Sequence, residues 1–302
     1  MEHYINIEKI GCGQFGAVYS AVDKRSGNKV ALKRCSLRSA SEGVPHSLLQ
    51  EISAQRKISH PNVLPLLEVF IQLGDVYTVT PLMRGSLAEL LQIRGPTLSR
   101  DVRRSMAHAI LSGLAAIHDA FYLHRDLKPD NLLLRSDVGL CISDFGGSKC
   151  YGISDISEYS PAAITLWYRP PELLLGSRVC GPAIDMWSAG CILGEMFLQR
   201  PLFPGTTELN QLQRIFSVLG TPQSDTWPGV ETLPNYIEFM PCNKVPLHEL
   251  FPEASPGFIT LMESLLVPNP QGRCTAKEAL GSPYFKEGPL VAPSLWGTGG
   301  VT

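Results

Sequence analysis

Three groups of residues in this sequence could carry chemistry together. His124-Arg125-Asp126-Leu127-Lys128-Pro129-Asp130-Asn131 crowds charged and polar side chains into a short loop ahead of the apolar run Leu132 to Leu134, and Asp144-Phe145-Gly146 follows thirteen residues after Asn131. Asn131 and Asp144 are two oxygen donors of the kind that Mg²⁺ bridging nucleotide phosphates requires, with water and phosphate completing its octahedron. Asp126 is then free to accept a hydroxyl proton. In the second group, Val30-Ala31-Leu32-Lys33, a lysine stands inside an apolar strand seventeen positions after Gly16, where an unpaired ammonium would be unfavourable. Glu51, flanked by Leu48 and Ile52 on a helical pattern, is the candidate partner, and a lysine so held could grip nucleotide phosphates.

The third group is Gly11-Cys12-Gly13-Gln14-Phe15-Gly16, which fits G-x-G-x-x-G. Dinucleotide-binding folds use the same string, but there a helix follows the glycines. Here Ala17 to Val22 continues as a β-rich run, so the glycines cap a hairpin. Such a hairpin lets backbone N–H groups approach phosphate oxygens without Cβ obstruction, and it places Val18 where it could cover a flat base. For any one of these residues alone, an ordinary glycine turn or a capped loop with solvated charges would be the better reading. The ordered set of glycines, lysine, H-R-D-L-x-x-x-N and D-F-G argues against it.

The elements that must hold these groups divide the chain in two. Tyr4 to Ile10, Ala17 to Val22, Asn28 to Arg34, Val63 to Phe70 and Val76 to Thr80 read as strands of an antiparallel meander, interrupted by one helix from Leu48 to Ile58 after the Pro45 start signal. Beyond Met83 the pattern turns helical, at Leu87 to Ile93, Val102 to Asp119 and Asp185 to Leu198. The predicted fold class is α+β. A small β lobe (1–82) with one helix is joined at residues 81 to 85 to a larger, mainly helical lobe (83–288), and a tail (289–302) follows. A cleft between two lobes is the natural ligand site.

Composition narrows the function classes. The 302 residues are 44% hydrophobic, with 26 Lys plus Arg against 28 Asp plus Glu and a formal net charge of -2. That excludes a disordered chain and offers no basic excess for nucleic acid or an anionic membrane. No uncharged stretch is long enough for a membrane span. The N-terminus has neither the basic start nor the apolar centre of a signal peptide, which points to an intracellular protein, nuclear or cytoplasmic. The eight cysteines form no C-x-x-C pair and are read as free thiols. No G-x-x-x-x-G-K-[ST] is present, which sets aside the P-loop enzymes.

With these motifs together, the chain resembles the eukaryotic protein kinases over residues 4 to 286. Lys128 in the loop is similar to serine/threonine kinases. Ser41-Glu42-Gly43-Val44-Pro45 leading to Glu51, Thr165-Leu166-Trp167-Tyr168-Arg169-Pro170-Pro171-Glu172 and Asp185-Met186-Trp187-Ser188 resemble the cyclin-dependent kinases. The region around Trp227, Leu233-Pro234-Asn235-Tyr236 and Pro283-Tyr284-Phe285 looks closest to CDK-activating and cell-cycle-related kinases.

The resemblance implies a bilobal, Mg²⁺- and ATP-dependent kinase acting on Ser or Thr of protein substrates in cell-cycle or transcription control, with a cyclin-like partner pushing Glu51 toward Lys33. It implies that Asp126 orients the hydroxyl, Lys128 and Lys33 neutralise charge, and Asn131 and Asp144 hold Mg²⁺. The ATP site would comprise Ile10, Gly11, Cys12, Gly13, Gln14, Phe15, Gly16, Ala17, Val18, Ala31, Lys33, Thr80, Pro81, Met83 and Leu133. Thr165 and Arg169 would lie at the substrate, Arg169 favouring proline after the target residue. Arg273 would pair with Glu172, and Asp185 would support the catalytic loop. A pseudokinase scaffold that binds nucleotide and a cyclin-like partner without turnover is the alternative, although none of Lys33, Glu51, Asp126, Asn131 or Asp144 is missing.

Departures from the family pattern carry further expectations. Gln14 and Phe15 replace a Thr-Tyr pair, which removes inhibitory phosphorylation of the glycine loop. Ser160 aligns with the activating phosphosite, yet Gln50 and Lys149 replace two of the arginines that would receive its phosphate, so its phosphorylation should stimulate only weakly. Thr80 replaces a bulky gatekeeper and should open a pocket behind the adenine.

Overall fold

The computed structural model of the chain describes residues 1–13, 16–36, 44–94, 98–135, 139–151 and 164–290. Strands β1 (Tyr4–Gly13), β2 (Gly16–Asp23), β3 (Lys29–Ser36), β4 (Glu68–Gln72) and β5 (Asp75–Pro81) form one antiparallel sheet in the order β1-β2-β3-β5-β4. Cross-strand partners share a face, and the register places Val18 opposite Lys33 and Ala31 opposite Thr80. These four residues therefore lie on one side. The other side carries Val30, Leu32, Tyr77 and Val79, which pack with Tyr4 and Ala21 into a small core.

Helix α1 (His46–Lys57) covers part of the first side, where Leu48 packs on Cys35 and Val76. It leaves Val18, Ala31, Lys33 and Thr80 half-exposed beyond it. From that uncovered stretch Lys33 Nζ comes within 3.7 Å of Asp144 Oδ1. The predicted strand Val63 to Phe70 starts instead at Glu68. Pro65 has no N–H to give to a ladder. Val63 bridges Ile142, and the Leu64 N–H donates to the Ile142 carbonyl at 2.9 Å, so this segment ties the sheet to the rest of the chain.

The remainder is mainly helical. It comprises β6 (Gly85–Ser86), α2 (Leu87–Arg94), α3 (Arg100–Asp119), β7 (Tyr122–Leu123), β8 (Leu132–Leu134), β9 (Leu140–Ile142), β10 (Lys149–Cys150), α4 (Pro171–Leu174), α5 (Ala183–Leu198), α6 (Glu208–Leu219), α7 (Leu247–Leu250), α8 (Pro256–Leu265) and α9 (Ala276–Leu280). In α5 every residue from Ile184 to Gly194 is buried, as expected of a helix that is apolar almost all round. Helix α3 is amphipathic. Its buried stripe, Met106, Ile110, Leu114 and Ile117, belongs to the same large core as Trp187 and Met196 of α5. Two short ladders, β6-β8-β9 and β7-β10, stand on this core and pin both ends of the loops that carry Asp126 and Asp144.

Candidate active site

The loop between β7 and β8 is built around Asp185, a carboxylate supplied by α5 and only 1% exposed. Its Oδ2 accepts the His124 N–H at 2.9 Å and His118 Nε2 at 3.0 Å, and its Oδ1 accepts the Arg125 N–H at 2.9 Å. Burial would raise this carboxyl, but those bonds and the neighbouring imidazoles hold it below its ordinary value. His124 Nε2 donates to the Ser143 carbonyl at 2.9 Å, and its ring meets Phe145 edge to face at 5.1 Å. The two chemistry-bearing loops are thereby locked to each other. Arg125 and Asp144 adopt left-handed backbone with φ of 71° and 63°. For side-chain-bearing residues that geometry is strained and persists only where the surroundings enforce it.

Asp126 projects from this frame into a four-residue cluster. Lys128 Nζ donates to Asp126 Oδ2 at 2.8 Å and to Thr165 Oγ1 at 3.2 Å, while the Thr165 N–H and hydroxyl donate to Asp126 Oδ1 at 3.1 and 2.9 Å. Asn131 Nδ2 donates to the Asp126 carbonyl at 2.8 Å and to its Oδ2 at 3.3 Å. Burial pushes the Asp126 carboxyl up, and the Lys128 ammonium with the Thr165 donors outweighs it, so the group titrates below its ordinary value. The carboxylate is ionised at neutral pH. Thr165, placed in the substrate segment by its motif, is thus tied directly to Asp126.

Lys33 from β3 reaches across to α1, its Nζ 2.8 Å from Glu51 Oε1 and 2.9 Å from Oε2. Burial alone would lower the Lys33 pKa, but the charges of Glu51 and Asp144 raise it. Asp144 Oδ1 lies 3.7 Å from the same ammonium. That oxygen is buried without a hydrogen-bond partner, and such an atom costs about 1–3 kcal/mol unless something outside the chain satisfies it. A hard cation fits the demand. Asn131 has committed its amide nitrogen to Asp126, which leaves its carbonyl oxygen as a second donor, and among the described residues no cluster of three His, Cys, Asp or Glu competes as a metal site. A two-donor set of this type suits Mg²⁺ that takes its other ligands from phosphate and water.

The remaining sequence-predicted residues lie along the sheet, in the connection that follows it and on β8. Ile10, Gly11, Cys12 and Gly13 end β1, Gly16, Ala17 and Val18 begin β2, and Gly13 pairs with Gly16. Gly16 has φ of 147°, and a Cβ there would fall 1.8 Å from the Arg34 carbonyl oxygen. Only glycine fits. Thr80 and Pro81 close β5, Met83 follows in the connection, and Leu133 rises from β8 opposite Ser86. Gln14, Phe15 and Ser160 lie outside the described residues.

Beside the catalytic cluster, Arg169 Nε and Nη2 donate to the Ile164 carbonyl at 3.1 and 2.8 Å, while its Nη1 pairs with Glu208 of α6. The segment ends at Glu172, which receives Arg273 at 2.7 and 2.6 Å. Glu208, His118 and Ser143 were not singled out from the sequence. Each is a polar residue with no spacing signal to its partner, separated from it by 39, 67 and 19 positions.

A family model described as "Protein kinase domain" matches residues 4–285 of the chain. Cyclin-dependent kinase 7 of Xenopus laevis is 38% identical over 295 residues, spanning 97% of this chain and 84% of the relative. Cyclin-dependent kinase 7 of Dictyostelium discoideum is 40% identical over 293 residues, 95% of this chain and 81% of the relative. Cyclin-dependent kinase D-1 of rice is 37% identical over 284 residues, 94% of this chain and 67% of the relative.

Proposed function

The chain belongs to the cyclin-dependent kinase family of protein kinases and is a protein serine/threonine kinase; within that frame we propose that its own cleft uses ATP with Mg²⁺ and that its substrates carry proline after the target residue. The protein kinase family in general uses ATP and Mg²⁺. The observation that carries the reading is the Asp126 cluster, because an ionised carboxylate is held within hydrogen-bond reach of a lysine and a threonine hydroxyl at a partly solvent-facing site.

In this reading Asp126 orients the substrate hydroxyl and takes its proton as that oxygen attacks. Lys128 balances negative charge beside it, and Thr165 keeps the carboxylate in one rotamer. Lys33, fixed by Glu51, grips the nucleotide phosphates, while Asp144 and Asn131 are the residues that would hold Mg²⁺. That ion would supply charge neutralisation between phosphate oxygens. The hairpin from Ile10 to Val18, with Ala31, Thr80, Pro81, Met83 and Leu133, would bind the base and phosphates. Arg169 already satisfies the Ile164 carbonyl, so a substrate residue without an N–H loses nothing at that position. Proline is such a residue.

A cyclin-like regulatory subunit is the partner we infer, seated on the α1 side, together with protein substrates. The test incubates the purified chain, alone and with candidate cyclins, with Mg²⁺, labelled ATP and a Ser/Thr peptide library. Transfer to Ser-Pro or Thr-Pro peptides with a cyclin, and a fall of roughly a hundred- to ten-thousandfold in Asp126→Asn, is the expected result. Transfer without any cyclin would remove the partner from the reading. Silence in every combination while ATP still binds would overturn the phosphotransfer reading.

A further inference from the structure

A cavity of about 350 Å³ opens where the C-terminal ends of α6 and α8 meet, and it shares no lining residue with the candidate active site. Its lining is apolar at Leu219, Leu266 and Val267, and it includes Trp227, itself only 6% exposed. Two charged residues line it, Lys244 and Glu263, and neither ion-pairs with any described residue.

Electrostatics select the ligand. Each helix end presents about half a negative charge through its terminal carbonyls, and neither α6 nor α8 carries a basic residue in its last turn. With Glu263 added, and with the Arg273 guanidinium at the Val267 and Pro268 carbonyls balanced by Glu172, the negative side outweighs the Lys244 ammonium by about one charge. An aromatic wall stabilises a cation laid against it as well. An apolar body carrying a positive group fits this combination, whereas a carboxylate of the same shape would face two helix C-termini and Glu263.

The same wall reaches the substrate segment. The Val267 and Pro268 carbonyls accept Arg273 Nε and Nη2 at 2.7 and 2.8 Å, and that guanidinium holds the Glu172 carboxylate. Movement of the Val267–Pro268 backbone is therefore felt at the residue that ends the segment bearing Thr165 and Arg169. We propose that this cavity binds a small organic cation with an apolar body, an aryl- or alkylammonium, and that its occupancy is transmitted through Arg273 and Glu172 to the substrate segment.

The test uses the full chain labelled with 5-fluorotryptophan, the Trp227 resonance being assigned by Trp227→Phe, and titrates phenethylammonium against 3-phenylpropionate. The expected result is a saturable shift of the Trp227 signal by the amine, with the carboxylate at least about tenfold weaker. Glu263→Gln should weaken the amine about threefold, the size expected of an ion pair at a solvent-facing rim, and Lys244→Met should tighten it. In the phosphotransfer assay, saturating amine should move the peptide KM at least twofold and leave the ATP KM in place. Equal affinity for amine and carboxylate, absence of saturation, or indifference to Glu263→Gln would overturn the site. Binding with an unmoved peptide KM would overturn the coupling. The fluorine measurement needs no catalysis, so failure of this site and failure of the phosphotransfer reading are told apart.

Discussion

Thr165 offers the sharpest perturbation of the proposed chemistry. Its hydroxyl donates to Asp126 Oδ1 at 2.9 Å and receives Lys128 Nζ at 3.2 Å, while its backbone N–H holds the same carboxylate oxygen at 3.1 Å. Thr165→Ala removes the hydroxyl and keeps the amide. A hydrogen bond to a charged group contributes about 1.5–3 kcal/mol, and the solvent-facing side of this cluster puts the loss near the lower figure. At 1.4 kcal/mol per decade, kcat should fall about ten- to thirtyfold, with the KM for ATP unchanged. The carboxyl should respond too. Burial pushes Asp126 up and the Lys128 and Thr165 donors pull it down, so losing one donor raises its pKa toward the ordinary value. The acid limb of kcat/KM, which reports a group that must be ionised, then moves to higher pH. Steady-state kinetics across pH with a fixed peptide measures both effects, and Thr165→Ser should restore them. A kcat within twofold of wild type in Thr165→Ala, or a Thr165→Ser variant as impaired as alanine, would refute the arrangement.

Arg273→Met leaves the Glu172 carboxylate buried without its partner; the expected cost is about 3–5 kcal/mol, which at roughly 2 °C per kcal/mol lowers Tm by about 6–10 °C. Adding Glu172→Leu should recover part of that loss in the same melting experiment. Arg169→Ala frees the Ile164 carbonyl, and the ratio of kcat/KM for a Ser-Pro over a Ser-Ala peptide should drop about tenfold, the worth of one hydrogen bond. An unchanged ratio would show that proline is read elsewhere. Thr80→Phe should weaken a base-competitive inhibitor with a substituent behind the base by at least about tenfold while leaving one without it unaffected, because an overfilled apolar pocket costs about 1–3 kcal/mol.

The readable and unreadable parts of this molecule separate along a physical line. Alternating strands such as Lys29–Ser36 and amphipathic α3 declare themselves because burial imposes a period on the residues themselves. The Lys33–Glu51 pair was foreseeable because an ammonium in an apolar strand demands a carboxylate, and one stood on a nearby helix. The apolar run from Val63 satisfies a strand pattern, but Pro65 denies it the ladder, so β4 starts later than the pattern implies. The links from Asp185 to His118 and from Arg169 to Glu208 could not be read. Hydrogen bonds between residues far apart in sequence are fixed by how helices cross, and a single sequence carries no trace of the crossing.

Helix α1 is where a partner would have most to act upon. Its first turn has no acidic residue and Pro45 gives it no side-chain cap, so the helix start lacks contributions of about 1 kcal/mol from a cap and about 0.3–1 kcal/mol from the dipole. What holds it is tertiary: Leu48 on Cys35 and Val76, the Ser53 hydroxyl 3.1 Å from the Tyr122 hydroxyl, the Gln55 amide donating to the Leu64 carbonyl at 3.4 Å, and Glu51 on Lys33. The Lys33–Glu51 bond is closed in the single chain, so a partner is not needed to make that contact sterically possible. Its work would be to shift a population. Leu49 stays 51% exposed on the outer face of the same helix, and covering an apolar side chain of that kind contributes about 1 kcal/mol or more. Each 1.4 kcal/mol gained by the closed arrangement over an open one multiplies their ratio tenfold, so even a modest contact on α1 would govern how much of the enzyme holds Lys33 in place for catalysis.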